Sequence, residues 1–486
     1  MTDSTLYFDV VILLIVFISL AVIAVAGSVL LVIKFGHPDD KNVALLPKFV
    51  VIYSLFLAVS SVALFPIDVA CRSSDALSSI IYYVWIAMFI NIAAFLVIII
   101  PLAIAFYEES STDKSVCRSL IYGLVPLMLI GVAIAILYPF FGTNSLSPED
   151  IQRFQSRSGW NYIPSSLSQI YSDHISIGYF GLAIMAMIGW IAFILFVPIG
   201  VAMLPIDMVR AFIHRPKALN IVEYTREKQA IGREASVLLK AAQDVGQSRK
   251  GSLNLFVGRS TKRSRKELLA LEMQTYELKR RRMTLEIAYS YRGGNPLWYG
   301  LQLLLGVIYA ILTIAWIVHL TLAVVVDASP ALSTVLLELQ KFGGTFPVFS
   351  IVAFVVLSEY LLLSAIKGSF KFSLGTAWLS IYPMEVGNTL MSAFLVNSWL
   401  ILALVVPLIQ FCTIAFADYV AGTVIGMIFL LRINNIRFFK GVLFYDNIYM
   451  YLMLWIFLIT LLVVAVSSKG KRKEINIRSS AVVEGA

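Results

Sequence analysis

PIDMVRAFIHRPKALNIVEYTREKQAIGREASVLLKAAQDVGQSRKGSLNLFVGRSTKRSRKELLALEMQTYELKRRRMTLEIAYSYRGGNP, residues 205–296, decides how this chain is organised. It holds 19 of the chain's 38 basic residues against nine acids, and long apolar runs flank it on both sides. The chain is therefore read in four parts: a membrane region over 1–204, this basic loop over 205–296, a second membrane region over 297–466 and a basic tail over 467–486. The loop is the one part large and polar enough to meet soluble partners.

Outward from the loop, composition points to lipid. Hydrophobic residues make up 59% of the 486, charged residues only 14%, far from the balance of a soluble chain. A spanning helix takes about 20 apolar residues, and nine windows qualify: 8–33, 49–65, 80–106, 120–141, 175–204, 297–326, 346–366, 389–416 and 448–466. The predicted fold is all-α, a polytopic helix bundle with about nine transmembrane helices and a cytosolic helical hairpin. With the N-terminus outside, 31 basic residues fall on the inner face and seven on the outer. Cytoplasmic loops carry the excess of Lys and Arg, so the N-terminus is expected extracellular or lumenal and the tail cytosolic. The first apolar run lacks a basic leader and is too long for a signal peptide, so it is read as a retained anchor. The apolar stretch 419–431 is too short to span, and a re-entrant or interfacial segment fits it better.

Within the loop, Tyr224, Ile231, Leu238 and Val245 recur every seven residues. Leu268, Leu271, Thr275, Leu278, Leu285 and Tyr289 continue the pattern, with Arg282 breaking it. Residues 246–264 between them are rich in Gly, Ser, Lys and Arg. Two helices pairing as an antiparallel hairpin through a linker is the expected arrangement; two amphipathic helices on the membrane surface is the alternative. The Lys279, Arg280, Arg281 and Arg282 run serves either as a solvated topology anchor or as a site for anionic lipid headgroups or protein partners. Basic charge beside membrane spans argues against nucleic acid as a partner.

Ionisable groups inside a span are costly and mark functional sites by default. Glu359 lies near the middle of the seventh window, and His319 in the sixth is a possible partner for it. Asn397 and Gln410 add polar groups in the eighth, with interhelical hydrogen bonding as the plain reading. A short string occurs twice, LFPIDV at 64–69 and MLPIDM at 203–208. Pro66 and Pro205 are expected to end their helices, leaving Asp68 and Asp207 at the interface where charge costs little. The placement also suits an inverted repeat. No phosphate loop, nucleophile elbow or HExxH motif is present. Four scattered histidines and three distant cysteines give no metal or disulfide framework. The expectation is a protein that is not an enzyme and carries no cofactor.

Several strings in order resemble the LMBR1-like, or LIMR, family of multi-pass membrane proteins, most closely its plant and protist members. They are GHPDDKN (36–42), PKFVV (47–51), PIDVACR (66–72), YEES with DKSV (107–116), LPIDMVRAFIHRPKA (204–218), AWIVH (315–319), YPMEVGNTLMSAFLVN (382–397) and IQFCTIAFADY (409–419). The resemblance implies nine spans, an outside N-terminus and a long cytosolic loop. Family members include a lysosomal protein linked to cobalamin export and a plasma-membrane receptor for lipocalins. It thus implies a transporter, or transporter subunit, for a small organic solute, or else a receptor or scaffold that recruits cytosolic partners through 221–291. A lysosomal, endosomal or plasma membrane follows as the location.

Overall fold

The structure is a computed structural model. It describes residues 3–37, 40, 45–71, 75–109, 115–144, 152, 174–215, 219–251, 271, 274–275, 278–279, 281–290, 295–324, 331–342, 348–371, 375–376, 379–380, 389–444 and 447–484. In chain order the elements are α1 (Asp3–Phe35), α2 (Leu45–Cys71), α3 (Asp75–Ala94), a π-helical turn (Phe95–Ile99), α4 (Ile100–Glu109), α5 (Ser115–Phe141), α6 (Ile177–Ile213), α7 (Ile221–Gly251), α8 (Pro296–Val324), α9 (Ala331–Phe342) and α10 (Val348–Lys371). A minimal antiparallel pair of strands follows, β1 (Gly375–Thr376) and β2 (Leu379–Ser380). Then come α11 (Met391–Ala415), the short α12 (Ala417–Val420) and α13 (Val424–Gly426), a second π turn (Met427–Ile433), α14 (Arg437–Val442) and α15 (Ile448–Glu484).

Eight helices among the described residues are long and apolar enough to cross a membrane. They coincide with eight of the nine windows. The ninth, 120–141, lies in α5, where Leu127–Phe141 is a shorter apolar helix. The polytopic helical bundle read from hydropathy is therefore the fold. Two compact units make it up, residues 1–204 with 309–486, and residues 205–308.

In the larger unit, α11 is the buried axis. It is apolar all round, and 20 of its 25 residues are buried, the pattern of a helix enclosed by others. Helices α1 and α15 instead keep Ile15, Ile23, Leu30, Trp455 and Leu462 on their surfaces, as lipid-facing helices do. Helix ends sort by alternation along the chain. At one end His37 N donates to Thr389 O (3.0 Å), Thr389 N donates to Phe35 O (3.0 Å), and buried Asp40 accepts from Tyr107 OH (2.8 Å) and Met391 N (3.2 Å). At the other, Ile175 N donates to Gly142 O (2.9 Å) and Arg437 N to Thr143 O (3.2 Å).

Proline and glycine shape this packing. Pro101 has no N–H to close the helix onto the carbonyl of Leu96, and the π turn sits at that place. Trp399 Nε1 donates to Leu96 O instead (2.9 Å), so a neighbouring helix satisfies the freed carbonyl. Where α6 crosses α10, the backbones touch. A Cβ on Gly200 would fall 1.6 Å from Ser364 O, and one on Gly368 would fall 1.9 Å from Phe196 O. The two glycines, each four residues from its partner contact, form a small-residue crossing of the GxxxG kind.

The smaller unit contains the paired helices. Asn220 Oδ1 accepts from Ile221 N (2.7 Å), and Glu223 reaches back to Asn220 N (3.4 Å), a reciprocal start to α7. Ile231, Leu278 and Leu285 form its buried core, with Leu219, Tyr224 and Leu238 packed on it. Tyr224 stacks on Tyr289 at 4.1 Å, and Arg281 bonds Glu234 (3.0 Å) with Glu227 at 3.8 Å. These contacts run in opposite directions along the two segments, so the pairing is antiparallel. Helix α7 continues to Gly251, into the stretch read as linker; residues 252–264 lie outside the described residues.

Gly200→Ala and Gly368→Ala are each expected to cost more than the roughly 1–3 kcal/mol typical of overpacking, because the clash is with backbone. Gly27→Ala, with nothing within 4 Å of its added Cβ, is expected to be silent. Thermal unfolding of detergent-purified protein, followed by size-exclusion chromatography, checks both.

Candidate functional site

The aspartate expected at the membrane interface is instead buried in the unit. Helix α2 does not end at Pro66 but continues through it to Cys71, and α6 likewise passes Pro205 and Asp207 to reach Ile213. The proline ring removes one N–H, and close packing around this end of α2 compensates. Asp68 is 1% exposed. Its carboxylate accepts from Trp85 Nε1 (2.9 Å), Val424 N (3.0 Å) and Ile425 N (2.8 Å). It therefore joins α2, α3 and the start of α13. Three donors on one carboxylate satisfy a charge that would otherwise be prohibitive to bury.

The segment that Asp68 holds is the one too short to span. It is neither a single helix nor an exposed interfacial strip. Two short helices, a Gly422 in the left-handed region (φ 85°) and a π turn carry it, and Tyr419, Val420, Thr423, Ile425, Phe429 and Ile433 are wholly buried or nearly so. Thr423 Oγ1 caps α13 by accepting from Gly426 N (3.1 Å). Irregular backbone between apolar helices is tolerated where protein surrounds it.

The four polar residues expected inside the membrane do not form one constellation. Gln410 accepts from Trp190 Nε1 (2.8 Å) and donates to Asn434 Oδ1 (2.6 Å), tying α6 and α11 to the end of the π turn. His319 does not reach Glu359. Its Nδ1 accepts from Leu332 N (3.1 Å), its other ring nitrogen bonds the backbone of Ala415, and its ring stacks on Phe416. Asn397 is buried in α11. Glu359 stands apart from these, with Oε1 buried and without a hydrogen-bond partner. The nearby titratable group is the buried thiol of Cys412. The neighbouring Tyr360 turns away, its hydroxyl 2.6 Å from Thr313 Oγ1, which also donates to Val201 O (3.2 Å).

Two concavities in the larger unit differ in size. A crevice lined by Val197, Trp316, Leu361, Phe411, Met453 and Phe457 among others has a volume of about 20 Å³, room for one water. A wider surface concavity of about 600 Å³ lies on α9, along Thr334, Val335, Glu338 and Lys341. In the smaller unit, Arg281 is taken up by Glu234 and Glu227 and Arg282 by Glu286 (3.0 Å), while Lys279 is exposed. Arg280 lies outside the described residues.

Sequence reasoning missed Asp40, Trp85, Trp190 and Asn434 as partners in these networks. A signal existed for Asp40. GHPDDKN, YEES and the string through Met391 meet around its carboxylate, as PIDVACR meets the segment after FADY around Asp68.

A bundle of apolar helices with ionisable groups buried among them defines a multi-pass integral membrane protein. Residues 9–286 match the family model for LMBR1-like membrane proteins. A LIMR family protein of Arabidopsis thaliana is 30% identical over 464 residues, covering 88% of this chain and 91% of that protein. LIMR family proteins of Dictyostelium discoideum (28% over 478 residues, 88% of this chain and 92% of that protein) and of Oryza sativa subsp. japonica (29% over 497 residues, 95% and 97%) are similar throughout. The chain belongs to the LMBR1-like, or LIMR, family. No solved structure matches it.

Asp68→Ala leaves three buried N–H donors unpaired and is expected to cost on the order of 3–5 kcal/mol. Asp68→Asn keeps one carbonyl oxygen and is expected to lose less. Monodisperse yield after detergent extraction, ranked wild type, then Asp68→Asn, then Asp68→Ala, is the outcome to check.

Proposed function

We propose that the protein is a non-enzymatic transporter, or the membrane subunit of one, for a small organic solute of the cobalamin-like class. The observation that supports this is Glu359. A carboxyl oxygen buried near the middle of a span without a hydrogen-bond partner costs stability, whereas Asp68 and Asp40 show how this chain satisfies carboxylates that only hold the fold together. With only about 20 Å³ open in the crevice lined by Trp316, Leu361 and Phe411, far below the few hundred Å³ of an organic ligand site, the helices around α11 must part for a solute to pass through it. The reading places the protein in a lysosomal, endosomal or plasma membrane, N-terminus outside and tail cytosolic.

A second reading, receptor or scaffold, has its own observation. The paired helices of the smaller unit close a core of Ile231, Leu278 and Leu285 and leave Val222, Val237 and Leu239 exposed beside basic residues. That surface suits recruitment of cytosolic proteins through 221–291, with a lipocalin-like ligand on the opposite side.

Glu359→Gln is expected to cut cyanocobalamin uptake into vesicles reconstituted with the protein at least tenfold while leaving its thermal stability unchanged or higher. Uptake by wild-type vesicles no greater than by empty ones removes the transport reading. If the scaffold reading holds, full-length protein carrying Val222→Asp and Val237→Asp loses cytosolic partners that the wild type captures.

A further inference from the structure

The level of Glu359 in the membrane unit can be fixed from contacts on either side. Helices α10 and α11 run antiparallel: Tyr419 OH meets Ser350 Oγ at 3.2 Å, and the rings of Phe416 and Phe354 lie 5.3 Å apart. Just over a turn further along, that register brings Cys412 to Glu359, and the two are in electrostatic reach. Helix α2 joins through Phe65, whose ring is 4.9 Å from that of Phe354. It runs parallel to α11, as Asp40 bonding Met391 near one end and Asp68 bonding Val424 near the other require. Five residues before Phe65 on α2 is Ser60, level with the position five residues beyond Phe354, which is Glu359, although five residues turn each helix about 140° from the face where Phe65 and Phe354 meet. Ser60 Oγ is also buried without a hydrogen-bond partner. One level of the bundle therefore holds a carboxyl, a hydroxyl and a thiol, from three different helices, with two of their oxygens unsatisfied.

A carboxylate there needs a positive charge. The groups on α2, α8, α10 and α11 nearest to it do not supply one, and Lys367 on α10 sits about two turns away. On α10, Tyr360 is engaged by Thr313. On α11, Cys412 brings a thiol. On α2, Lys48, Tyr53, Asp68 and Cys71 sit about two turns or more from Ser60. On α8, both nitrogens of His319 are used by backbone. Among the described residues no lysine or arginine bonds Glu359 Oε1, which has no hydrogen-bond partner. A metal cation needs more oxygen ligands than one carboxylate offers. A proton needs a single oxygen, and it removes the charge that burial penalises.

We propose that Glu359 is a proton-exchange site inside the membrane unit, and that its proton is the coupling ion of the transport cycle. The first half stands on the geometry of this level; the second rests on the transport reading above.

Dicyclohexylcarbodiimide, an apolar reagent for protonated carboxyls, tests the first half. The carboxyl proton passes to a carbodiimide nitrogen, the carboxylate adds to the central carbon, and the acylisourea rearranges to a stable acylurea with nothing lost. Mass spectrometry of the labelled wild-type protein is expected to find the adduct on Glu359, lost toward alkaline pH and indifferent to Na⁺. No adduct on Glu359 in monodisperse protein overturns the site, and so does protection by Na⁺ at constant pH, which makes it a metal-ion site. For coupling, cyanocobalamin uptake into vesicles is expected to fall several-fold when an imposed pH gradient is collapsed. Labelling of Glu359 without any uptake keeps the proton site and removes the transport reading. Uptake that ignores the pH gradient keeps transport and overturns the coupling.

Discussion

Asp68 carries the constraint on which the larger unit depends. Its carboxylate receives an indole N–H from α3 and two backbone N–H groups from the start of α13. Hydrocarbon supplies no alternative partner for any of these groups. The irregular stretch from Ala417 to Val442 can sit among apolar helices because its first free amides end on this one acceptor. Everything that then packs on the stretch inherits the position so fixed, including Asn434 for Gln410 and Ile436 beside Asn144.

The membrane helices were legible in the sequence because burial in lipid demands length and apolarity, and both can be counted. The helical pairing of the loop was legible because Tyr224, Ile231, Leu238, Leu278 and Leu285 repeat at a spacing that only one helical face can use. The behaviour of Pro66 was not legible. A proline in isolation reads as a stop, and only the packing around it allows α2 to run on to Cys71. Segment 419–431 was seen to be too short for a span, but its enclosure depends on Asp68, more than 350 residues earlier. The pairing expected between Glu359 and His319 failed for a similar reason. Composition places both in spans, while rotation about each helix axis decides which neighbour a side chain meets.

The two units show different uses of the same residue types. In the larger one, aromatic rings fill space between helices, with Trp190 in contact with Phe193, Phe411, Phe444 and Tyr449. In the smaller one, a short apolar seam is flanked by exposed ion pairs of Arg281 with Glu227 and Glu234, which set register and add little stability in water. Removing an aromatic from the first opens a void; removing a charge from the second leaves its apolar seam in place.

The partnership between Trp399 and the carbonyl of Leu96 reaches beyond packing. Pro101 creates the unpaired acceptor, and Trp399 consumes it. The two are coupled: a chain that regained an N–H at 101 would give the half-buried indole a competitor for the carbonyl, and one that lost the indole would strand that carbonyl. The two positions thus behave as a single heritable character, and among relatives they should be exchanged as a pair, with the tryptophan giving way wherever the proline has gone.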